Sequence, residues 1–307
     1  MTVLQVSLAD YLRLRRALGH KLDDAARHLA NFVAYLDDAG EPTVTMNAVL
    51  RFVLDPDLDP ASTVPSRRLA AIRGFARYLS GIDPRTEIPP VGMVIYRARR
   101  RTPFLFSDTD VDAVAHSAAA TTPFPFRKAT LTTMIGLLAT TGMRVGEVIR
   151  LDRGDIDWDN AVILVRESKF TKGRNVPVSA TTIDALAAYR RRRDRSRPAS
   201  TRLFVSLAGT PVAYSHFSST FRRAVDDSGI ALGSPIRPRV HDLRHSFAVR
   251  TLTGWYRLGL DVEALLPRLS TYLGHAEPRF TYRYLTAIPE LLGHAASRLE
   301  TSLAGVQ

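Results

Sequence analysis

Residues 131–149, LTTMIGLLATTGMRVGEVI, predict two helices joined by a tight turn. Apolar residues recur at helical spacing as far as Leu138, and Gly142 is of the residue type that most often ends a helix. A second, shorter apolar stripe starts at Val145. We therefore expect Arg144 to lie in the turn where one helix ends and the next begins.

The sequence after this turn predicts a small β structure and then helices only. The β-branched run 161–166 and the segment 174–178 flank the loop 167–173, which is typical of a β-hairpin with Lys169 and Lys172 near its tip. Helices are expected at about 180–193, 215–228, 240–258, 262–273, 279–286 and 289–303. The predicted fold class is mainly α with a small β-hairpin or sheet.

Residues 7–81 show only helical periods and predict a four-helix module. Ser7 is expected to cap the first helix, and an apolar stripe from Leu22 to Leu36 marks the second. Two more helices fit about 45–54 and 65–80. The last of these carries a basic face formed by Arg67, Arg68, Arg73 and Arg77. A solvated surface and a DNA-facing surface explain that basic face equally well.

The segment between the two halves predicts an extended linker. Three prolines fall within 82–90 and four arginines within 97–101. Proline and clustered charge are typical of linkers. The predicted organisation is a helical domain at 1–88, a linker at 89–104 and a second domain at 105–307 that ends in the helix 289–303.

The composition favours a polyanionic partner. The chain has 307 residues, and 42 basic against 30 acidic side chains give it a formal charge of +12. A surplus of that size points first to nucleic acid. Only four of the basic residues are lysines, so the position of each lysine is more informative than that of an arginine.

The absence of cysteine excludes several classes of site. It rules out disulfide scaffolds, thiolate zinc sites, iron–sulfur ligation and a cysteine nucleophile. The longest aliphatic stretch, 161–165, is far shorter than the roughly 18 residues that span a bilayer, and the charged start lacks the apolar core of a signal peptide. We therefore expect a cytoplasmic protein with no membrane partner.

The segment His241-Asp-Leu-Arg-His245 is the densest cluster of chemically active side chains. On a helix, His241 lies above Arg244 and His245, which follow it by three and four residues. One interpretation is a zinc pair similar to H-E-x-x-H, although Asp242 replaces the glutamate and Arg244 would bring a cation toward the metal. The other pairs His241 with Arg244 to bind a phosphate, with His245 turned toward the core or the helix wall. The phosphate interpretation is favoured, and no metal is expected.

Six residues in one order resemble the active-site series of the tyrosine recombinase (phage integrase) family: Arg144, Lys169, His241, Arg244, His275 and Tyr284. The motifs TTGMRVGEVIRLDRGDID, SKFTKGRNVPV, HDLRHSFA and YLGH carry the resemblance over roughly 105–287. It places Glu147 at the family's acidic position and gives Lys172 an accessory role. Spacing from His275 favours Tyr284 as the nucleophile, with Tyr282 as its competitor.

The resemblance implies a site-specific DNA recombinase or integrase that cleaves and rejoins strands through a covalent 3′-phosphotyrosine, without metal, ATP or another cofactor. The two arginines would bind the nonbridging phosphate oxygens, His241 would accept the tyrosine proton and His275 would hydrogen-bond the phosphate. Lys169 would supply a proton to the leaving 5′-hydroxyl. DNA contacts are expected from the basic face of helix 65–80 and from Lys172 and Arg174.

Architecture and partners follow from the same resemblance. The helical module would be the core-binding domain and 105–307 the catalytic domain, and together they would form a C-shaped clamp on double-stranded DNA. Helix 289–303 would dock on a neighbouring subunit and join four protomers on paired sites, where accessory DNA-binding proteins could also act. The general pattern is similar to integrases of transposons and other mobile elements. Two alternatives stay open: a catalytically silent DNA-binding or architectural protein on the same scaffold, and a type IB topoisomerase.

Overall fold

The computed structural model describes residues 2–20, 22–54, 62–93, 102–166, 173–196, 200–275, 277 and 279–286. The chain forms two compact units, residues 1–100 and 101–307. Lys169, Lys172 and the expected helix 289–303 lie outside the described residues. Within the described ranges, no helix combines the length and the apolar character that crossing a membrane requires.

Four helices surround one apolar core in the first unit. They are α1 (Val3–Ala17), α2 (Asp23–Asp38), α3 (Met46–Val53) and α4 (Val64–Leu79). Leu29, Phe32 and Phe75 are fully buried in this core. The apolar stripe that the sequence predicts on the second helix therefore faces inward.

The first helix begins earlier than the sequence predicts. The Thr2 hydroxyl accepts a hydrogen bond from the Gln5 backbone N–H at 3.3 Å, and the Gln5 side chain accepts one from the Thr2 N–H at 3.3 Å, which forms a capping box. Ser7 is buried within α1. The prediction that Ser7 caps this helix was wrong, because Ser7 lies on the packed face and Thr2 supplies the cap.

The second unit is also mostly helical. Its first five helices are α5 (Asp108–Ala120), α6 (Pro125–Thr141), α7 (Val145–Arg150), α8 (Ala180–Ser196) and α9 (Tyr214–Ser228). The last three are α10 (Val240–Arg257), α11 (Val262–Leu273) and α12 (Arg279–Thr286). Their bounds differ by no more than three residues from those expected for the helices after the hairpin. The predicted mainly α fold class is confirmed.

Three short strands form an antiparallel sheet in the order β1, β2, β3. They are β1 (Ile156–Asp157), β2 (Val162–Val165) and β3 (Arg174–Pro177). Val162 pairs with Pro177, and Val165 pairs with Arg174. Ile163 and Val176 are fully buried, so one face of the β2–β3 pair packs on the core. The two strands of the expected hairpin are confirmed, and β1 is an addition to them.

Two glycines with a left-handed backbone bring the ends of α6 and α11 close to α10 and β3. Gly142 follows α6 with φ +60°, and a Cβ on it would lie 2.6 Å from Phe247 Cδ1. Gly274 follows α11 with φ +68°, and a Cβ on it would lie 2.7 Å from Arg174 Nη1. Both the backbone conformation and the close approach therefore require glycine. The turn after α6, the start of α10 and the end of α11 meet at this point.

Candidate active site

Arg144 is held in the turn between α6 and α7, as the sequence predicts. Its backbone N–H donates to Glu147 Oε2 at 2.9 Å and its Nη1 donates to Glu147 Oε1 at 2.9 Å. Its Nη2 donates to the carbonyl oxygen of Gly274 at 2.7 Å. About a third of the side chain (33%) stays exposed. The guanidinium is thus fixed by α7 and by the end of α11 while one side remains open to solvent.

Arg244 is buried in the same place from the opposite side. It projects from α10, and the residue is only 2% exposed. Its Nη1 donates to the Gly142 carbonyl at 2.8 Å and its Nη2 to the Leu273 carbonyl at 2.7 Å. Burial, and then the positive charge of Arg144, lower the pKa of Arg244 to about 10. The group is therefore still a cation at pH 7.

Three consecutive carbonyl groups at the end of α11 each accept a hydrogen bond from a different arginine. Arg174 Nε donates to Tyr272 at 2.7 Å, and Arg244 and Arg144 donate to the next two residues as described above. Carbonyls in the last turn of a helix have no partner within that helix, and they form its partly negative end. They therefore draw three positive charges together. We call Arg144, Arg174 and Arg244 the arginine cluster.

Glu147 is the carboxylate within the arginine cluster. Besides the two bonds from Arg144, it accepts Arg174 Nη1 at 3.0 Å on Oε1 and Arg174 Nη2 at 2.9 Å on Oε2. Burial alone would raise its pKa, but the hydrogen bonds and charges of Arg174 and Arg144 outweigh that cost and lower the pKa of Glu147 to about 2. Oε1 accepts from both guanidinium groups, which fixes them relative to each other, and Oε2 accepts from Arg174 and from the backbone of Arg144.

Three histidines and a tyrosine form a row of rings beside these charges. The ring centroids of His241 and His245 are 4.9 Å apart, and those of His245 and Tyr284 are 5.5 Å apart. His275 stacks on Tyr284 with centroids 6.2 Å apart and an angle of 23° between the planes. His275 Nδ1 lies 2.7 Å from the hydroxyl oxygen of Thr281, which fixes that ring. The Tyr284 ring thus lies beside the rings of His245 and His275.

The histidines His241 and His275 of this row are neutral at pH 7. Burial, and then the charges of Arg244 and Arg144, lower the pKa of His275 to about 3. Desolvation and nearby positive charge, with His245 foremost among the charges, lower the pKa of His241 to about 3 as well. Neutral imidazoles can accept a proton or a hydrogen bond here.

The two tyrosines of α12 differ sharply in environment. Tyr284 is 6% exposed and lies among the histidines, whereas Tyr282 is 48% exposed. Tyr284 also interacts electrostatically with Arg244. The tyrosine that the family spacing favours is therefore the one that the fold brings to the arginine cluster.

The charges and geometry of the described side chains at this site suit an anion. Among the described residues, no set of three or more His, Asp or Glu side chains is arranged to hold a metal ion. His241 and His245 do lie close together, but their rings are nearly perpendicular at 88° and Tyr284 is the next neighbour of His245. The arrangement suits a phosphate oxyanion, which arginine binds through paired N–H donors.

Comparison with known proteins identifies the family. The model of the phage integrase family matches residues 110–290, which is more than half of the chain. The chain belongs to the phage integrase family. Relatives named as tyrosine recombinases are similar over most of their length, so the chain is a tyrosine recombinase.

Two relatives and one solved structure illustrate the similarity. The y4rB protein of Sinorhizobium fredii strain NGR234, named as a candidate integrase/recombinase, is 37% identical over 98% of this chain and 98% of its own length. The tyrosine recombinase XerD of Halalkalibacterium halodurans is 26% identical over 89% of each chain. The Tn1549 transposon integrase in complex with transposon right end DNA has a TM-score of 0.67 at 16% identity, over 98% of this chain and 99% of that chain. The last comparison supports the fold.

These relatives do not favour a silent DNA-binding protein or a topoisomerase.

The structure of this tyrosine recombinase brings together most of the residues that the sequence selects. Five of the six lie in one site: Arg144, His241, Arg244, His275 and Tyr284. Glu147 joins them through Arg144. Lys169 and Lys172 lie outside the described residues, so their expected roles stay predictions.

Arg174 does not lie where a DNA contact requires it. Its side chain is 8% exposed, and its donors point inward to Glu147 and to the carbonyl of Tyr272. The expectation that Arg174 binds DNA is corrected on this ground, because a buried guanidinium paired with a carboxylate presents no surface to a DNA backbone. The sequence missed this because both contacts join residues far apart in the chain.

The four arginines of α4 divide into two pairs. Arg68 donates to the carbonyl of Phe52 at 2.8 Å, and Arg73 donates to the carbonyls of Pro89 and Pro90 at 2.8 and 2.5 Å. Both thus tie α4 to other parts of the first unit. Arg67 and Arg77 are exposed. The prediction of DNA contact applies best to this exposed pair.

His245 is the site residue that the sequence analysis placed elsewhere. It was expected to face the core or the helix wall, yet its ring lies between those of His241 and Tyr284. The available signal was its spacing of four residues from His241, which puts both on one helix face.

Proposed function

We propose that this tyrosine recombinase exchanges DNA strands site-specifically through Tyr284. The tyrosine oxygen attacks a backbone phosphorus, the bond from phosphorus to the 5′ oxygen breaks, and a covalent 3′-phosphotyrosine forms. A 5′-hydroxyl of another strand then attacks the phosphorus, which restores a phosphodiester and releases the tyrosine. The observation that carries this proposal is the burial of Tyr284 beside the rings of His245 and His275 and the charge of Arg244.

Two side chains move the protons of the cleavage step. His241 is neutral at pH 7 and accepts the proton of Tyr284. The negative phosphate that enters the site raises the affinity of the imidazole for that proton. Lys169 donates a proton to the leaving 5′ oxygen, which would otherwise depart as an alkoxide. In the rejoining step the same groups act in reverse.

The charge of the site matches the charge of the transition state. The three arginines of the arginine cluster and Glu147 together carry a net charge of +2, and pKa values of about 3 keep His241 and His275 neutral. Attack on a phosphodiester produces a phosphorane-like state with about two negative charges. Cations that are fixed before the reaction stabilise such a state without reorganisation. Arg144 and Arg244 contact its nonbridging oxygens, and His275 hydrogen-bonds one of them.

The same chemistry explains why we propose a reaction without metal or ATP. The phosphotyrosine bond conserves the energy of the broken phosphodiester, so rejoining needs no nucleotide. The fixed arginines stabilise the oxygens that a metal ion stabilises in other phosphoryl-transfer enzymes.

The proposed substrate is double-stranded DNA that carries two recombination sites. Arg67, Arg77 and Lys172 contact its backbone, which makes binding salt-dependent without reading sequence. Four protomers assemble on the paired sites and exchange the segment 289–303, and accessory DNA-binding proteins assist them. We propose that the enzyme serves a mobile element and acts in the cytoplasm, where that DNA lies.

The test uses DNA from the flanking junctions of the gene, nicked close to candidate sites so that the cleaved strand end diffuses away. Incubation with EDTA and without ATP is expected to give a protein–DNA adduct on a denaturing gel. The adduct is expected to disappear in Tyr284→Phe and to persist in Tyr282→Phe. Tight binding with no adduct on any junction would favour the silent DNA-binding protein, and relaxation of supercoils by monomers would favour the topoisomerase.

A further inference from the structure

Arg174 makes contacts that a surface residue would not make. It is the first residue of β3, and its guanidinium is turned inward. The two Nη atoms donate to the two oxygens of Glu147 at 3.0 and 2.9 Å, and Nε donates to the Tyr272 carbonyl at 2.7 Å. All three nitrogens of the guanidinium therefore have a fixed acceptor. This two-point geometry with a carboxylate is specific to arginine.

Glu147 links the fixed position of Arg174 to that of Arg144. Oε1 of Glu147 accepts from the guanidinium groups of both Arg174 and Arg144, and Oε2 accepts from Arg174 and from the backbone N–H of Arg144. A movement of the carboxylate would therefore move the acceptor of the Arg144 guanidinium. Arg174 and Arg144 also donate to Tyr272 and Gly274, two residues apart at the end of α11. Arg174 thus restrains Arg144 at two places, through the carboxylate and through the chain that carries His275.

The charge of Glu147 also couples Arg174 to Arg144. The carboxylate of Glu147 is buried, and it stays ionised because Arg174 and Arg144 compensate for its lost hydration. Without Arg174, the buried carboxylate would have Arg144 as its remaining cationic partner among the contacts described. That guanidinium would then turn further toward Glu147 and away from an incoming phosphate.

We propose that Arg174 is a positioning residue that holds Glu147 and, through it, sets the orientation of Arg144 for the phosphate. The inference rests on the proposed function, in which Arg144 binds the phosphate. Arg174 itself does not touch DNA.

The first test separates cleavage from binding in Arg174→Met. In this variant the single-turnover rate of adduct formation on saturating nicked DNA is expected to fall on the order of 100-fold, the loss typical of a displaced reacting group. The affinity for DNA and its dependence on salt are expected to stay near wild type. If Arg174 instead contacts a phosphate, the slope of log affinity against log salt falls by about one and the rate at saturation stays normal, which overturns the proposal.

Two further variants keep the test valid if Arg174→Met does not fold. Arg174→Lys keeps the charge but cannot bond both Glu147 oxygens and the Tyr272 carbonyl, so we expect it to recover only part of the rate. Glu147→Gln keeps the shape of the carboxylate, and combining it with Arg174→Lys is expected to slow cleavage no more than the slower single variant. Additive losses would mean that the two residues act separately.

The matched control is Arg237→Met, which removes an exposed arginine that pairs with Asp226 at 3.1 Å.

A measurement without DNA cleavage distinguishes this inference from the proposed function. In protein labelled with 15N-arginine, the guanidinium signal of Arg144 is assigned by its loss in Arg144→Lys. Restricted rotation is expected in the wild type and faster rotation in Arg174→Met, while Arg237→Met leaves the signal unchanged. An Arg144 signal that Arg174→Met does not alter would overturn the positioning role. A wild type without adduct would contradict the proposed function, and this spectrum would still decide the role of Arg174.

Discussion

The exposed arginines of α4, Arg67 and Arg77, differ from those of the arginine cluster in what holds their guanidinium groups. On α4, Arg67 pairs with Asp24 at 3.3 Å, with both side chains about half exposed, and Arg77 is exposed as well. In the arginine cluster, the groups share the buried Glu147 and three consecutive carbonyls at the end of α11. One set thus keeps its freedom in solvent, while the other is fixed before any ligand arrives.

This contrast teaches which arginines are suited to chemistry. Exposed arginines add affinity for a polyanion, but salt screens their charge and their side chains stay mobile. Guanidinium groups held by buried acceptors keep their orientation, and fixed charge stabilises a transition state most. The number of arginines in a segment therefore says less about catalysis than the acceptors that the fold provides for them.

The largest effect is expected from Arg244→Ala. The substitution removes a phosphate-binding cation and leaves the carbonyls of Gly142 and Leu273 without this donor. We expect adduct formation on saturating DNA to slow by about 10³-fold, as for loss of one oxyanion donor. Single-turnover cleavage measures this, with Arg237→Ala as the control for an exposed arginine. Equal rates in the two variants would remove the distinction between the two sets of arginines.

Substitution of Gly142, which ends α6, tests whether the turn before Arg144 requires glycine. Gly142→Ala forces a left-handed backbone on alanine and places its Cβ 2.6 Å from Phe247 Cδ1. We expect a loss of about 1–3 kcal/mol in the free energy of unfolding. A Cβ added at Gly136, within the same helix, would meet nothing within 4 Å, so Gly136→Ala is expected to stabilise by about 0.5–1 kcal/mol. Urea unfolding of both variants checks this, and a loss of equal size in both would contradict it.

Stability is expected to fall as the pH drops below about 6.5. The pKa of His275 is lowered from 6.5 to about 3, so between these values the unfolded chain binds a proton that the native chain does not. Glu147, whose pKa is lowered from 4.5 to about 2, adds to the loss below about pH 4.5 in the same way. In His275→Asn, the urea midpoint is expected to depend less on pH between 6.5 and 4.5. A slope equal to that of the wild type would argue against a buried neutral His275.

The smallest effects are expected on α4. Arg73→Ala removes donors to the carbonyls of Pro89 and Pro90 and is expected to cost about 1 kcal/mol of stability. Arg77→Ala is expected to change stability by less than about 0.5 kcal/mol, since Arg77 is exposed. Its effect should appear in DNA binding, where the slope of log affinity against log salt concentration falls by about one. The reverse result, with Arg77 needed for stability, would contradict the division of α4 into two pairs.

The sequence predicted the helices around the site well because their ends carry local signals. Gly142 and Gly274 adopt the left-handed backbone that ends a helix, and Asp261 caps α11 by accepting from the Ala264 N–H at 3.1 Å. Such signals depend on neighbours in the chain. Ser7 shows where they fail, because a polar residue on a packed face looks like a cap when the true cap, Thr2, comes earlier.

The sequence could not predict which residues would share an acceptor. Arg174 contacts Glu147, 27 residues away, and Tyr272, 98 residues away. No periodicity or local motif encodes such pairs. The sequence therefore could not distinguish Arg174 from a surface arginine of a hairpin. The resemblance to a family selected the residues that the fold brings together around Tyr284, but not the contacts that hold them in place.

The identity of the nucleophile tests the central claim most directly. Trypsin cleaves after Arg279 and Arg283, so Tyr282 lies in the peptide 280–283 and Tyr284 in 284–298. The adduct is formed on nicked DNA, digested with nuclease and trypsin, and analysed by tandem mass spectrometry. The residual nucleotide is expected on Tyr284, the buried tyrosine beside His245 and His275. A nucleotide on Tyr282 would contradict the account, because that side chain is exposed and lies outside the row of rings.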